Sequence, residues 1–168
     1  ALRLAAATPG PVYVRMGRAA VPCVYDDEVE LEIGRAYVLR EGSDVTIVAN
    51  GVEIREALAA ADALAADGIS AEVIDAFSVK PLDEDTIAVS VAKTGCVVVA
   101  EEHSVLGGLG SAVAEMLARR CPAPAEFIGV QDRFGKSGEF EELLGYFNID
   151  ATAIVEAVKK VRERAGLC

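Results

Sequence analysis

Five consecutive residues, Cys96 to Ala100 (CVVVA), are all apolar. A strand with one face in water alternates apolar and polar side chains, so an unbroken apolar run marks a strand covered on both faces. Strands of that kind belong to parallel sheets with helices laid on each side. Aromatic residues make up only 5% of the chain against 52% apolar residues overall, so Val, Ile, Leu and Ala must do the packing. That balance suits helices on a Val-rich sheet better than a β-sandwich.

The flanking segments repeat the theme. AYVLRE and DVTIVAN read as two strands joined by a turn through Gly42 and Ser43, which predicts an antiparallel hairpin. GVEIREALAAADALAADG follows, with Ile54, Ala57, Leu58, Ala61, Leu64 and Ala65 on one helical face and a stop at Gly68. SAEVIDA is the next strand, and LDEDTIAVSVAKTG a helix capped by Asp83. After the CVVVAEE strand, a helix from about Leu109 places Val113, Met116 and Leu117 on one side. AEFIGV is the last strand and EFEELLGYF a short helix. Asp150 caps a final helix with Ile154, Val155, Val158 and Val161 inward and Lys159, Lys160, Arg162 and Arg164 outward. Strands alternating with helices predict an α/β fold: a three-layer α/β/α sandwich on a mostly parallel sheet of about five strands, one of them antiparallel.

The first residues do not fit that unit. Ala1 to Ala7 reads as the tail of a helix, TPGP as a turn and VYVRMG (Val12 to Gly17) as a strand with nothing before it to pair with. Residues 1–22 are therefore expected to be the last piece of an upstream domain. Residues 23–36 (CVYDDEVELEIGRA) are an acidic linker, and residues 37–168 are the domain proper.

A net charge of −11 argues against nucleic acid or an anionic membrane surface as partner. No apolar run approaches the roughly 18 residues of a membrane span. Cys23, Cys96, Cys121 and Cys168 are scattered without a CxxC pair, which suggests neither a metal knuckle nor a disulfide framework and leaves a reducing cytoplasm as the default.

Chemistry has few candidates. Gly107, Gly108 and Gly110 sit between a strand and a helix, where a phosphate can bind a helix N-terminus. They form GGxG and not GxGxxG, a loop separates them from the strand, and the strand ends in Glu101 and Glu102, which repel phosphate. These glycines are read as serving backbone geometry. His103, the one histidine, has no nucleophile in a recognisable elbow to work with, so it is assigned to the surface or an interface. Asp26/Asp27 and Glu101/Glu102 are adjacent pairs whose members point to opposite sides of an extended chain, not acid/base dyads. Glu139, Glu141 and Glu142 read as a solvated helix face. Arg15 and Arg18 end the orphan strand, a place where ligands of α/β domains bind and where a guanidinium suits a phosphate. An ion pair to a neighbouring domain explains them equally well. No catalytic, cofactor-binding or metal-binding residue is assigned.

Laid end to end, GPVYVRMGRAAVP, GRAYVLREGSDVTIVANG, VIDAFSVKPLDEDTI, VVVAEEHSVLGGLGSAVAE and VQDRFGKSGEFEELLGYFNID resemble, in order, the C-terminal end of thiamine-diphosphate-dependent transketolases, particularly those encoded as two subunits. VKPLD and EEHSVLGGLGS are shared with 1-deoxyxylulose-5-phosphate synthases and, more loosely, with beta subunits of 2-oxoacid dehydrogenases. DRFGKSG and ELLGYFNID are most similar to transketolase. The resemblance implies a C-terminal domain that carries no cofactor and helps build a homodimer. Thiamine diphosphate and Mg²⁺ would be held by an N-terminal section or subunit and a middle, pyrimidine-binding domain, of which residues 1–22 would be the last helix and strand. It also implies that Arg18, in MGRAAVP, contacts the phosphate of a sugar substrate. The parent reaction would move a two-carbon ketol unit between ketose and aldose phosphates, with this chain inactive alone. The alternatives are the C-terminal domain of the synthase or the dehydrogenase beta subunit, and a non-catalytic association module.

Overall fold

The computed structural model describes residues 1–18, 20–25 and 29–167; Asp26, Asp27 and Cys168 lie outside the described residues. The strands are β1 (Tyr37–Arg40), β2 (Val45–Ala49), β3 (Ala71–Asp75), β4 (Val97–Ser104) and β5 (Ala125–Val130). They form one sheet in the order β1-β3-β2-β4-β5. Strands β2 to β5 run parallel, and β1 lies antiparallel on β3 at the edge.

Helices α2 (Glu53–Ala66) and α6 (Ala151–Ala165) cover one face of the sheet, and α3 (Glu84–Thr94) and α4 (Leu109–Arg120) the other. The two faces explain the CVVVA run directly. Val98 and Ala100 pack toward α2 and α6, while Val97 and Val99 pack toward α3 and α4, so every position of the run is buried. Helix α1 (Leu2–Ala7) precedes the sheet, and α5 (Phe140–Phe147) packs Leu144 and Phe147 against Ile128 and Val130 of β5. The caps are where the sequence puts them. Asp83 accepts from the Thr86 N–H at 3.1 Å and Asp150 from the Ala153 N–H at 2.9 Å.

The predicted β1–β2 hairpin is not formed, because β3 lies between the two strands. Their link arches over the start of β3: the Ser43 and Asp44 N–H groups both donate to the Ser70 carbonyl, at 3.1 and 2.8 Å. Gly42 makes that arch possible. A Cβ there would lie 2.2 Å from backbone atoms of Ala71 and Glu72, so the crossing admits no side chain. A short link through glycine suits a hairpin and a tight arch equally well, and the sequence pattern alone does not separate them.

The buried face of α2 also differs from the predicted stripe. Glu53, Ile54, Glu56, Ala57, Ala60, Ala61 and Leu64 are buried, whereas Ala65 is exposed. Two carboxylates therefore face inward. Glu141 is exposed, as expected of a solvated face, and also joins α5 to α2 through two hydrogen bonds from Arg55, each 2.9 Å.

Residues 11–18 join no ladder with the described strands, and Val12, Tyr13 and Met16 are exposed. The described part of the following segment is docked on the domain. The Tyr25 hydroxyl donates to Asp75 at 2.6 Å, and the Ala36 N–H donates to Asp83 at 2.9 Å.

Candidate functional site at the carboxyl ends of the strands

In an open α/β sheet the carboxyl ends of the parallel strands form the rim where ligands bind. Here that rim carries Asn50 just after β2, Asp75 at the end of β3, Glu101 within β4, and Glu53 in the first turn of α2. All four are buried.

Glu101 is the hub. Its Oε2 accepts from the Leu109 N–H at 2.7 Å, the first residue of α4. Its Oε1 accepts from Asn50 Nδ2 and from Arg15 Nη2, each at 3.3 Å. The other nitrogen of Arg15, Nη1, donates to the Glu102 carbonyl at 2.8 Å. The glycine turn is thereby explained. The amino end of α4, where a phosphate would sit, is filled by the chain's own carboxylate. A Cβ on Gly108 would lie 2.2 Å from Glu101 Oε2 and 2.9 Å from His103 Nδ1. Gly107 has a φ of +78°, a conformation that favours glycine. Gly110 lets α4 approach β5, with a would-be Cβ 3.0 Å from the Phe127 ring.

Glu53 behaves differently. It is fully buried, and neither carboxylate oxygen has a hydrogen-bond partner among the described residues. Burial first, and then the nearby carboxylates of Glu56 and Glu102, push its pKa up to about 8, while Arg55 opposes the shift. Glu56 is better provided for, since it accepts from Arg55 Nε at 2.7 Å and from the Ala151 N–H at the start of α6, 2.9 Å away. Asp75 accepts from Tyr25 through one oxygen and has no partner for the other; burial raises its pKa. Burial, and then the same contact, hold the Tyr25 hydroxyl proton on, with its pKa raised.

Arg15 and Arg18 part company. Arg15 is spent on β4, while Arg18 is exposed and pairs with no described residue. His103 is half-buried against the glycine turn, its Nδ1 donating to the Ser104 carbonyl at 2.7 Å. It joins no triad. Sequence reasoning missed Asn50, Glu53 and Asp75. The available signal for Glu53 was its place on an inward face shared with Ala57, Ala60 and Leu64, immediately after a strand's carboxyl end. Chemically, the rim can hold a proton and seat a guanidinium. Among the described residues no group of three or more His, Cys, Asp or Glu side chains could hold a metal ion, and no helix is long and apolar enough to cross a membrane.

Residues 34–154 match the model of the transketolase C-terminal domain. This chain belongs to that family. A 6-deoxy-6-sulfo-D-fructose transketolase subunit of Clostridium sp. (strain MSTE9) is 47% identical over 92% of this chain and 48% of its own length. The 1-deoxy-D-xylulose-5-phosphate synthase 1 of Geobacter sulfurreducens is 40% identical over 94% of this chain but only 25% of its own length. A solved structure described as a split gene transketolase, inactive beta4 tetramer, superposes with a TM-score of 0.90 at 48% identity, covering 95% of this chain and 52% of that one. The transketolase C-terminal domain described here thus spans about half the length of the subunit-type relatives that it matches.

Thiamine diphosphate, which the family implies, does not fit the described residues. The helix N-terminus that could take a diphosphate is occupied by Glu101, and the carboxylates around it repel one.

Proposed function

We propose that this chain is the C-terminal section of a transketolase-type enzyme that moves a two-carbon ketol unit between ketose and aldose phosphates. It works with an N-terminal section or subunit and is inactive alone. The observation that carries the reading is the superposition on a split-gene transketolase with a TM-score of 0.90, over 95% of this chain and 52% of that one. That protein's description as an inactive beta4 assembly supports the expectation that such a section does not turn over unaided.

In this reading thiamine diphosphate and Mg²⁺ are held elsewhere in the complete enzyme. Residues 1–22 are the end of the pyrimidine-binding domain, 23–36 a linker and 37–168 the C-terminal domain. The exposed Val12, Tyr13 and Met16, on backbone that joins no described ladder, support a surface covered by the missing domain. Arg18 receives the sugar phosphate: it is exposed and pairs with no described residue, while Arg15 is tied to Glu101 and Glu102. The assembly is a homodimer of complete units, in the cytoplasm. A second reading, the C-terminal domain of a 1-deoxyxylulose-5-phosphate synthase, draws on the 40% identity over 94% of this chain.

A coupled assay on this chain, on its N-terminal section and on their mixture tests both. Ketol transfer only in the mixture is expected. Turnover by this chain alone would overturn the division of labour, and formation of 1-deoxyxylulose 5-phosphate would favour the second reading.

A further inference from the structure

We infer that Arg15 is a positioning residue for Arg18: it fastens the segment carrying Arg18 to the carboxyl end of β4, so that the C-terminal domain sets where a sugar phosphate is received. The inference rests on the phosphate-binding reading of Arg18.

The fastening is specific in form. Residues 11–18 have no ladder partner among the described strands, so on this domain side-chain contacts hold them. Arg15 reaches across 87 positions of sequence to the Glu102 carbonyl at 2.8 Å, and it meets Glu101 Oε1 at 3.3 Å. The Glu102 carbonyl lies past the β2 ladder of β4, between the Ala100–Ile128 and Ser104–Val130 pairs with β5, so paired strand on either side holds it. Glu101 is equally immobile, since the Leu109 N–H holds one of its oxygens and Asn50 the other. The guanidinium fork is thus seated on two acceptors whose positions are fixed by β2, β4 and α4.

The chain stays close beyond that point. A Cβ on Gly17 would lie 4.0 Å from Glu102 Oε2, one residue before Arg18. Arg18 follows at a bend and is exposed. One arginine therefore aims the other. If Arg15 lets go, the Arg18 guanidinium loses its fixed distance from the rim, and an ångström-scale misplacement is enough to weaken a phosphate contact severely.

The test uses the complete enzyme and two acceptor aldoses that differ only in bearing a phosphate. Three variants are needed: Arg18→Ala, Arg15→Ala and the double substitution. Arg18→Ala should raise KM for the phosphorylated acceptor alone by tenfold or more, as loss of a charged contact predicts. Arg15→Ala should do the same by about tenfold with kcat within about twofold, since placement and not chemistry is disturbed. The double variant should be no worse than Arg18→Ala, because a positioning residue has no effect once its target is gone. Additive losses, or equal losses with both acceptors, would make Arg15 an ordinary structural contact and overturn the inference. Phosphate selectivity in Arg18→Ala without any in Arg15→Ala overturns the positioning role alone. Its absence in Arg18→Ala overturns both the inference and the reading beneath it.

Discussion

In the β4–α4 unit the buried carboxylate, Glu101, accepts from the Leu109 N–H at 2.7 Å and from Asn50 and Arg15 at 3.3 Å. In the β2–α2 unit, at the same end of the sheet, the buried carboxylate of Glu53 has no partner for either oxygen among the described residues. Both units run strand, glycine turn, helix. They differ in where the acid stands. Glu101 lies on the strand and faces the free N–H groups of the following helix, which need an acceptor. Glu53 lies inside the first turn of its own helix, and its oxygens reach no N–H or side-chain donor. One turn uses its carboxylate as a helix cap. The other keeps a proton in the interior.

The comparison breaks most sharply at Gly108. Glu101 cannot yield to a Cβ 2.2 Å away without releasing Leu109, Asn50 or Arg15. Disrupting a buried, fully bonded carboxylate costs up to about 5 kcal/mol. Gly108→Ala should therefore lower the urea midpoint drastically or prevent folding. A loss below about 1 kcal/mol would mean that the Glu101 network is loose.

Glu53 makes the opposite unit measurable through pH. Its folded pKa of about 8 lies above its ordinary value, so the folded state holds a proton that the unfolded chain releases. The stability this group contributes is complete below pH 4 to 5 and is lost as pH rises through about 8. The charged groups around it are Glu56 and Arg55 on α2, Glu102 on β4 and Asp150 at the start of α6. Glu53→Gln removes the ionisation, and should abolish a decline of up to about 4 kcal/mol across that window. Denaturation of both proteins at pH 5, 7 and 9 decides it. Parallel stability profiles would show that the buried acid finds a partner after all.

Gly107→Ala is a gentler probe of the satisfied turn. Its φ of +78° strains any side chain, but nothing lies within 4 Å of the added methyl, so only backbone conformation is penalised. The expected loss is about 1 kcal/mol. A neutral outcome in thermal unfolding would show that the turn relaxes freely.

What the sequence disclosed of these units follows from the reach of local patterns. The CVVVA run, the caps at Asp83 and Asp150 and the apolar faces of the later helices depend on neighbours within a turn or a strand, and they specify the three layers. The place of β1 beside β3 depends on an arch whose decisive contact, Gly42 against Ala71, joins distant positions. Glu101 and Glu102 were visible as a pair, but which of them caps α4 is settled by the turn's path and by Asn50, which lies 51 positions earlier. Glu53 was hidden because a carboxylate in a helix of mixed polarity is ordinarily outward. Arg15 and Arg18 look alike in the sequence; only the fold commits one of them to β4.

The smallest expected effect is none at all, and it bears on the capped turn. A helix N-terminus left empty is an anion site, whereas here Glu101 already accepts from the first N–H of α4. ATP, NAD or thiamine diphosphate with Mg²⁺ should each leave the melting temperature of this chain within about 1 °C. The measurement is sensitive enough to be decisive. A ligand present at 100 times its dissociation constant adds about 2.7 kcal/mol, which for a domain of this size moves the midpoint by several degrees. A saturable rise would mean that an anion displaces Glu101 from the helix, at the expense of its bonds to Asn50 and Arg15. Because Arg15 would then lose one of its two acceptors, the same titration would also loosen the segment that carries Arg18. A null result in the parent chain, repeated with Glu101→Gln, would show instead that the carboxylate's geometry closes the turn to anions, with or without its charge.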